Sequence, residues 1–540
     1  MKKRILGILL FIGCLLGLVS CSSTKGINVK NKNVISGKEL SYQYTDTNTN
    51  QIRKKMDSFE KMLSVENNYD NIINTWNEIN SYAYEMYSYA NIEYVNFAIS
   101  SDIKSSLLQT KYNDIFNEIR EWEDKMFKLI YESSYKDQFF EGMTEEEIKD
   151  LIDNAFPSEY YEYDAKAMEL VAEYYEIKEE EIATKVPELY IRYIDNAKKQ
   201  ATSAGYTSYP DYMYDYIYGR DYNPTQVKEF YGYVKQYIVP LLNEIINRYN
   251  YYANIAQSLS LAEMLQYYSL YDSINLKSTK INDYAQAMGE KYNRVYKNLW
   301  DNGYYYFSNE KKSIQGAFTT YAYTEGQPIV YFGPNYQNQL TVVHEFGHYY
   351  AMSVGNGNYG SLDMAETHSQ GNEMLYLSYL DKYDIITDVL SGIFECESLL
   401  NYCLQIIIST AIDEFEQYCY SATDLKAEEL DAKFLEIAGK YINVSEFETT
   451  YNMDLKTYWK MVVVENSCYY ISYAMSLIPS LYFYVEGQNN FDIAKNKYLE
   501  MVDLLETDDV VFLETLDKLN IYNPFNEQTY MSLNTLVQYI

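Results

Sequence analysis

His344 and His348 stand four residues apart in Val343-His344-Glu345-Phe346-Gly347-His348, with a glutamate directly after the first. On a helix, such positions lie about 40° apart, so both imidazoles can reach one metal ion. Two neutral imidazoles suit Zn²⁺, which in catalytic sites takes three protein ligands and keeps one position for water. Glu345 projects about 100° round the helix, where it can take a proton from that water. A metal-activated water beside a carboxylate base is the chemistry of hydrolysis. The bland reading is a pair of packing histidines, but a chain with three His among 540 residues makes a chance match rare.

A third ligand must be a carboxylate, because His368 is the one histidine left. Glu366 and Glu373 share a helical face, so either can coordinate while the other supports. Spacing alone leaves the two open. His368 points nearly opposite to Glu366 and reads as a surface or packing residue. Cys396 and Cys403 fall on one face of an apolar stretch and read as core, not as ligands.

The elements that must carry these residues are legible too. Residues 316–334 hold two short β-branched and aromatic runs around Gly326-Gln327-Pro328, which predicts a hairpin. Gly333-Pro334-Asn335 then stops the second strand and opens the helix of the two histidines. Apart from this hairpin, apolar residues recur at three- and four-residue intervals from about 51 to about 485, so the chain is mainly α-helical. Thr144 to Glu147 predicts a capping box before Ile148. Gly205 to Pro210 breaks the helical pattern and marks the candidate boundary between a helical N-terminal lobe (51–200) and a catalytic domain (201–540).

The front of the chain reads as an address. Lys2, Lys3 and Arg4 precede an apolar run from Ile5 to Val19, too short to span a ~30 Å hydrocarbon core as a helix. Residues 1–20 are therefore expected to be a signal peptide. Leu18-Val19-Ser20-Cys21 resembles the lipobox of bacterial lipoproteins, which implies a lipid anchor on Cys21 at the extracytoplasmic face of the cell membrane. Residues 21–50, rich in Ser, Thr, Asn and Lys, read as a flexible tether.

From Gly316 to Glu373 the chain resembles the thimet oligopeptidase and oligoendopeptidase F family of zinc metallopeptidases. The likeness rests on Gly316-Ala317-Phe318, His344-Glu345-Phe346-Gly347-His348, Ala365-Glu366, Ser369-Gln370 and Asn372-Glu373. It extends to Ala204 through Tyr209, Gly219-Arg220-Asp221-Tyr222 and Tyr522 through Glu527. The resemblance implies Glu366 as the third ligand of one zinc ion, with Glu373 behind the ligands. It also implies two helical lobes flanking a deep central cleft, a small sheet beside the zinc helix, and short unstructured oligopeptides as substrates. Tyr469-Tyr470-Ile471-Ser472-Tyr473 resembles the family's oxyanion segment, which implies Tyr470 and Tyr473 as donors on a shared helix face, with Tyr469 a neutral neighbour. Val462 stands where the family commonly has a histidine. The short connection from His348 to Glu366 implies a trimmed loop, in which Gly355, Gly357 and Gly360 suggest a mobile turn or simple turn chemistry.

A formal net charge of −33 argues against nucleic acid and against electrostatic docking on anionic lipid. The expectation is a monomeric, lipid-anchored zinc endopeptidase. The alternative is a peptide-binding lipoprotein that does not cut. A surface scaffold would leave the His-Glu-His set unexplained.

Overall fold

Long amphipathic helices account for most of the computed structural model, which describes residues 34–36, 49–64, 69–100, 103–153, 156–260, 279–308, 313–314, 316–322, 326–334, 339–382, 388–451, 453–506 and 510–540. The signal segment, Cys21 and most of the expected tether lie outside these residues. No described helix is long and apolar enough to cross a membrane.

Asn50–Ser64 (α1), Tyr69–Ser100 (α2) and Ile103–Glu132 (α3) pack around Phe59, Trp76 and Trp122. Thr144 and Glu147 form the predicted reciprocal cap, each side chain accepting the other's backbone N–H. This first core ends at Ile148, and the main one begins at Tyr160 and runs to Ile540. Among the described residues, the two cores thus part between Ile148 and Tyr160. Ser158–Glu176 (α4) and Ile182–Ser203 (α5) belong to the main core, where Tyr190 packs on Trp459 with ring centroids 5.9 Å apart. Periodicity shows that a helix buries a face, but not which partner covers it.

Four strands, Val34–Ser36 (β1), Tyr305–Ser308 (β2), Ala317–Ala322 (β3) and Gln327–Phe332 (β4), form one sheet in the order β1-β2-β4-β3. The antiparallel pair β3 and β4 is the predicted hairpin. β2 runs parallel to β4, and β1 pairs antiparallel to β2, so part of the expected tether is held by strand pairing.

Much of the chain's tyrosine is core, and buried phenols require partners. Tyr160 and Tyr212 share a 2.6 Å hydrogen bond, and Tyr214 donates to Asp413 Oδ1 at 2.6 Å.

Candidate functional site

Four helices build the site: Gln339–Val354 (α6), Leu362–Lys382 (α7), Asp388–Ser421 (α8) and Ile471–Asp503 (α9). The two that carry the metal-type residues, α6 and α7, cross closely because of Gly347. A Cβ there would lie 2.6 Å from Ser369 Cα, closer than real contacts allow. Asn372 then fixes the crossing. Its Nδ2 donates to Val343 O at 2.7 Å, while Oδ1 accepts from Tyr284 and Tyr292, each at 2.8 Å. Because Val343 precedes His344 and Asn372 precedes Glu373, this bracket sets those two side chains face to face.

His344, His348 and Glu366 converge, with one ligand-type atom from each lying within 4.8 Å of the others. Glu366 is 2% exposed; its Oε2 has no hydrogen-bond partner and sits 4.0 Å from His348 Nε2. A buried carboxylate oxygen without a partner, facing two imidazoles, is a costly arrangement unless a cation completes it. The donor set therefore fits zinc. Glu373 does not join it: its Oε1 accepts from His344 Nδ1 at 2.7 Å, and the Tyr402 hydroxyl donates to its Oε2. That contact leaves His344 Nε2 available to a cation, the usual arrangement of a carboxylate behind a metal-binding histidine.

Charges follow the same layout. Burial pulls His344 down, but the Glu373 hydrogen bond and the Glu373, Glu345 and Glu366 charges together raise it to about 9. A field that holds a proton so firmly suits a divalent cation. Burial, then the His344 charge, lowers His348 well below the ordinary value. Burial raises Glu366 to about 6 against the His344 charge and the Tyr469 hydrogen bond. His368 is fully buried, neither ring nitrogen has a hydrogen-bond partner, and burial lowers it to about 3. It is a neutral packing residue.

Glu345 is 4% exposed, and Thr319 of β3 donates to its Oε2 at 2.7 Å. This leaves Oε1 for another partner. Burial raises Glu345 to about 7, opposed by the His344 charge and the Thr319 hydrogen bond and assisted by Glu366 and Glu373. A carboxylate poised there can both take and return a proton near neutrality. The hairpin's position beside the helix is thus chemical as well as structural.

Among the tyrosines, Tyr469 departs from expectation. α9 begins only at Ile471, and Cys468 before it adopts a left-handed φ of 56°. Tyr469 and Tyr470 therefore precede the helix, but Tyr470 keeps helical φ and ψ of −59° and −27° as its N-cap and accepts from Tyr473 N at 3.1 Å, so Tyr470 and Tyr473 stand one turn apart. Tyr469, expected to be neutral, donates to Glu366 Oε1 at 3.1 Å. Tyr473 packs on Tyr469 with ring centroids 5.2 Å apart; burial, then the Glu366 charge, holds its hydroxyl above the usual value, and Glu345 adds to this. Tyr470 answers instead to burial and to Tyr458, Tyr473 and Glu465. Val462 is buried at the end of helix Leu455–Val462 and offers no donor.

The link from α6 to α7 is turn chemistry. A Cβ on Gly355 would meet Asn358 O at 2.1 Å, Tyr321 donates to Asn356 Oδ1 at 3.0 Å, and Ser361 N donates to Val510 O at 3.2 Å. A cavity of about 10 Å³, walled by Thr319, His348, Met352, Leu362 and Glu366 among others, adjoins this link. It has room for about one water. The His344 side chain, 25% exposed against 10% for His348, marks the open approach.

Neither a protein-family model nor a curated protein matches the chain. Solved structures do. Oligoendopeptidase-F from Enterococcus faecium aligns over 91% of this chain and 96% of its own, at 13% identity and a TM-score of 0.53. PZ peptidase A with an inhibitor aligns over 92% and 98%, at 15% identity and a TM-score of 0.70. The chain has the oligoendopeptidase F fold. Metallocarboxypeptidase 1 of Trypanosoma cruzi also superposes, over 91% of this chain and 99% of its own, at 11% identity and a TM-score of 0.52.

Proposed function

We propose that the protein is a zinc-dependent endopeptidase for short unstructured oligopeptides, held by lipid on Cys21 at the extracytoplasmic face of the cell membrane. One observation carries the enzymatic part: the partnerless Glu366 Oε2 converges with His344 and His348 beside a carboxylate held near 7. His344 Nε2, His348 Nε2 and Glu366 Oε2 would hold the metal. Bound zinc supplies the Lewis acidity that makes water acidic and offsets charge on a polarised carbonyl. Glu345 Oε1 takes the proton from the attacking water and passes it to the leaving amine. The Tyr473 hydroxyl donates to the oxygen on which negative charge develops. The fold neighbours with peptidase names support this reading.

Glu345→Gln keeps the shape and the metal ligands but removes the base. Cleavage of a mixed peptide library should fall by a factor of at least ~10², with bound metal unchanged. An unmutated chain that binds peptides and cuts none would favour the non-cutting lipoprotein instead. For the anchor, Cys21→Ala should abolish incorporation of labelled fatty acid; persistent labelling refutes the lipobox reading.

A further inference from the structure

The Arg220 side chain is fully buried, with no solvent contact to hydrate its charge. Its Nη2 donates to Cys468 O at 2.9 Å and to Ser472 Oγ at 2.7 Å, with Tyr469 O at 3.4 Å. The guanidinium lies over the rings of Tyr214 and Tyr218, 4.2 and 4.5 Å from their centroids. Its Nε is 3.8 Å from Asp363 Oδ2, which also accepts from the Tyr222 hydroxyl at 2.9 Å. Asp363 occupies the first turn of α7, one turn before Glu366. On the other side, Glu416 Oε1 accepts from Cys468 N at 2.9 Å. The Cys468 residue is therefore gripped at its carbonyl by a cation and at its amide by a carboxylic group. A non-glycine residue in the left-handed region persists only where its surroundings enforce it.

We propose that Arg220 is a positioning residue, which locks the left-handed turn at Cys468 to the first turn of α7 and so holds the Tyr469 hydroxyl on Glu366 and Tyr473 beside it. Burying a guanidinium is expensive, and one carboxylate at 3.8 Å with no hydrogen bond to Nε or Nη1 offsets it only in part. The return is geometric: one planar group spans the helix of the glutamate and the turn of the tyrosines. Lysine has no such plane, so a single ammonium cannot hold the turn with one nitrogen and face Asp363 with another while stacked on the rings. The inference rests on the proposed function for its catalytic consequence but not for the turn itself.

The test compares Arg220→Lys, Tyr469→Phe and the double variant in the full chain, by chelator competition for zinc and by thiol labelling under native conditions. Arg220→Lys should expose Cys468, raising its labelling rate about tenfold or more, while Cys403 of α8 stays protected as the folding control. Zinc affinity should fall about tenfold, at the low end of effects from groups behind the ligands, and adding Tyr469→Phe should cost little more. In turnover, kcat should fall with KM nearly fixed. If the lysine variant fails to fold, Ser472→Ala removes one clamp contact without leaving an unpaired charge, and it should raise Cys468 labelling about threefold. Unchanged Cys468 protection, or losses in zinc affinity that multiply in the double variant, overturns the proposal. A wild-type chain that holds no zinc or cuts no peptide refutes the proposed function instead, and the labelling arm still decides the clamp.

Discussion

Tyr469→Phe deletes one oxygen and leaves the ring in place. That oxygen donates at 3.1 Å to Glu366 Oε1, in a side chain 2% exposed, so no bulk water replaces the lost bond. A hydrogen bond to a charged, buried acceptor contributes about 1.5–3 kcal/mol. At ~1.4 kcal/mol per decade this is about a 10- to 100-fold loss of metal affinity. The independent experience with groups that orient metal ligands gives the same range, ~10–100-fold. The assay is chelator competition, with Tyr470→Phe alongside, because Tyr470 answers to Tyr458 and Glu465 rather than to a ligand. The reasoning is refuted if Tyr469→Phe binds zinc as tightly as the unmutated chain, or if Tyr470→Phe loses as much.

Two further outcomes are expected. Tyr473→Phe should lower kcat by about 10²–10³ at nearly fixed KM, towards the upper half because Val462 supplies no second donor; near-normal turnover would mean the oxyanion is held elsewhere. Glu465, raised to about 8 by burial against a Tyr175 hydrogen bond, keeps its proton in the folded chain up to that pH, while the unfolded chain loses it near the ordinary carboxylate value of 4.5. Stability from this group is therefore lost as pH rises through that window. Glu465→Gln should melt with the unmutated chain near pH 4.5 and a few degrees above it at pH 8.5, for about 2 kcal/mol after screening. A gap that does not widen with pH contradicts the burial argument.

Reading the sequence reached those parts of the molecule that obey a period. His344, Glu345 and His348 were legible because helix spacing dictates where they point, and β3 and β4 because β-branched runs flank a glycine. β2 escaped because Tyr305–Ser308 is a short aromatic run directly after a helix, without alternation. Tyr469 escaped for a sharper reason. The helical-face rule assumes helical backbone, and Cys468 breaks it just upstream. Tyr402 behind Glu373 carried no signal at all, since among 65 tyrosines no single one stands out. Thr319 sits in a segment singled out for its strand, yet its bond to Glu345 needed the third dimension.

The pairing of β1 with β2 bears on the proposed anchor, because it sets how far the folded body could roam from a lipid on Cys21. Were residues 21–50 all free, a lipid on Cys21 would act as a leash of up to ~100 Å. With Val34–Ser36 fastened to the sheet, the leash from Cys21 shortens to at most ~45 Å. A body so moored, if Cys21 carries the proposed lipid, would sample a thin layer over the bilayer. Its prey would be peptides arriving at that surface, met at a local concentration set by the mooring rather than by the volume of the compartment.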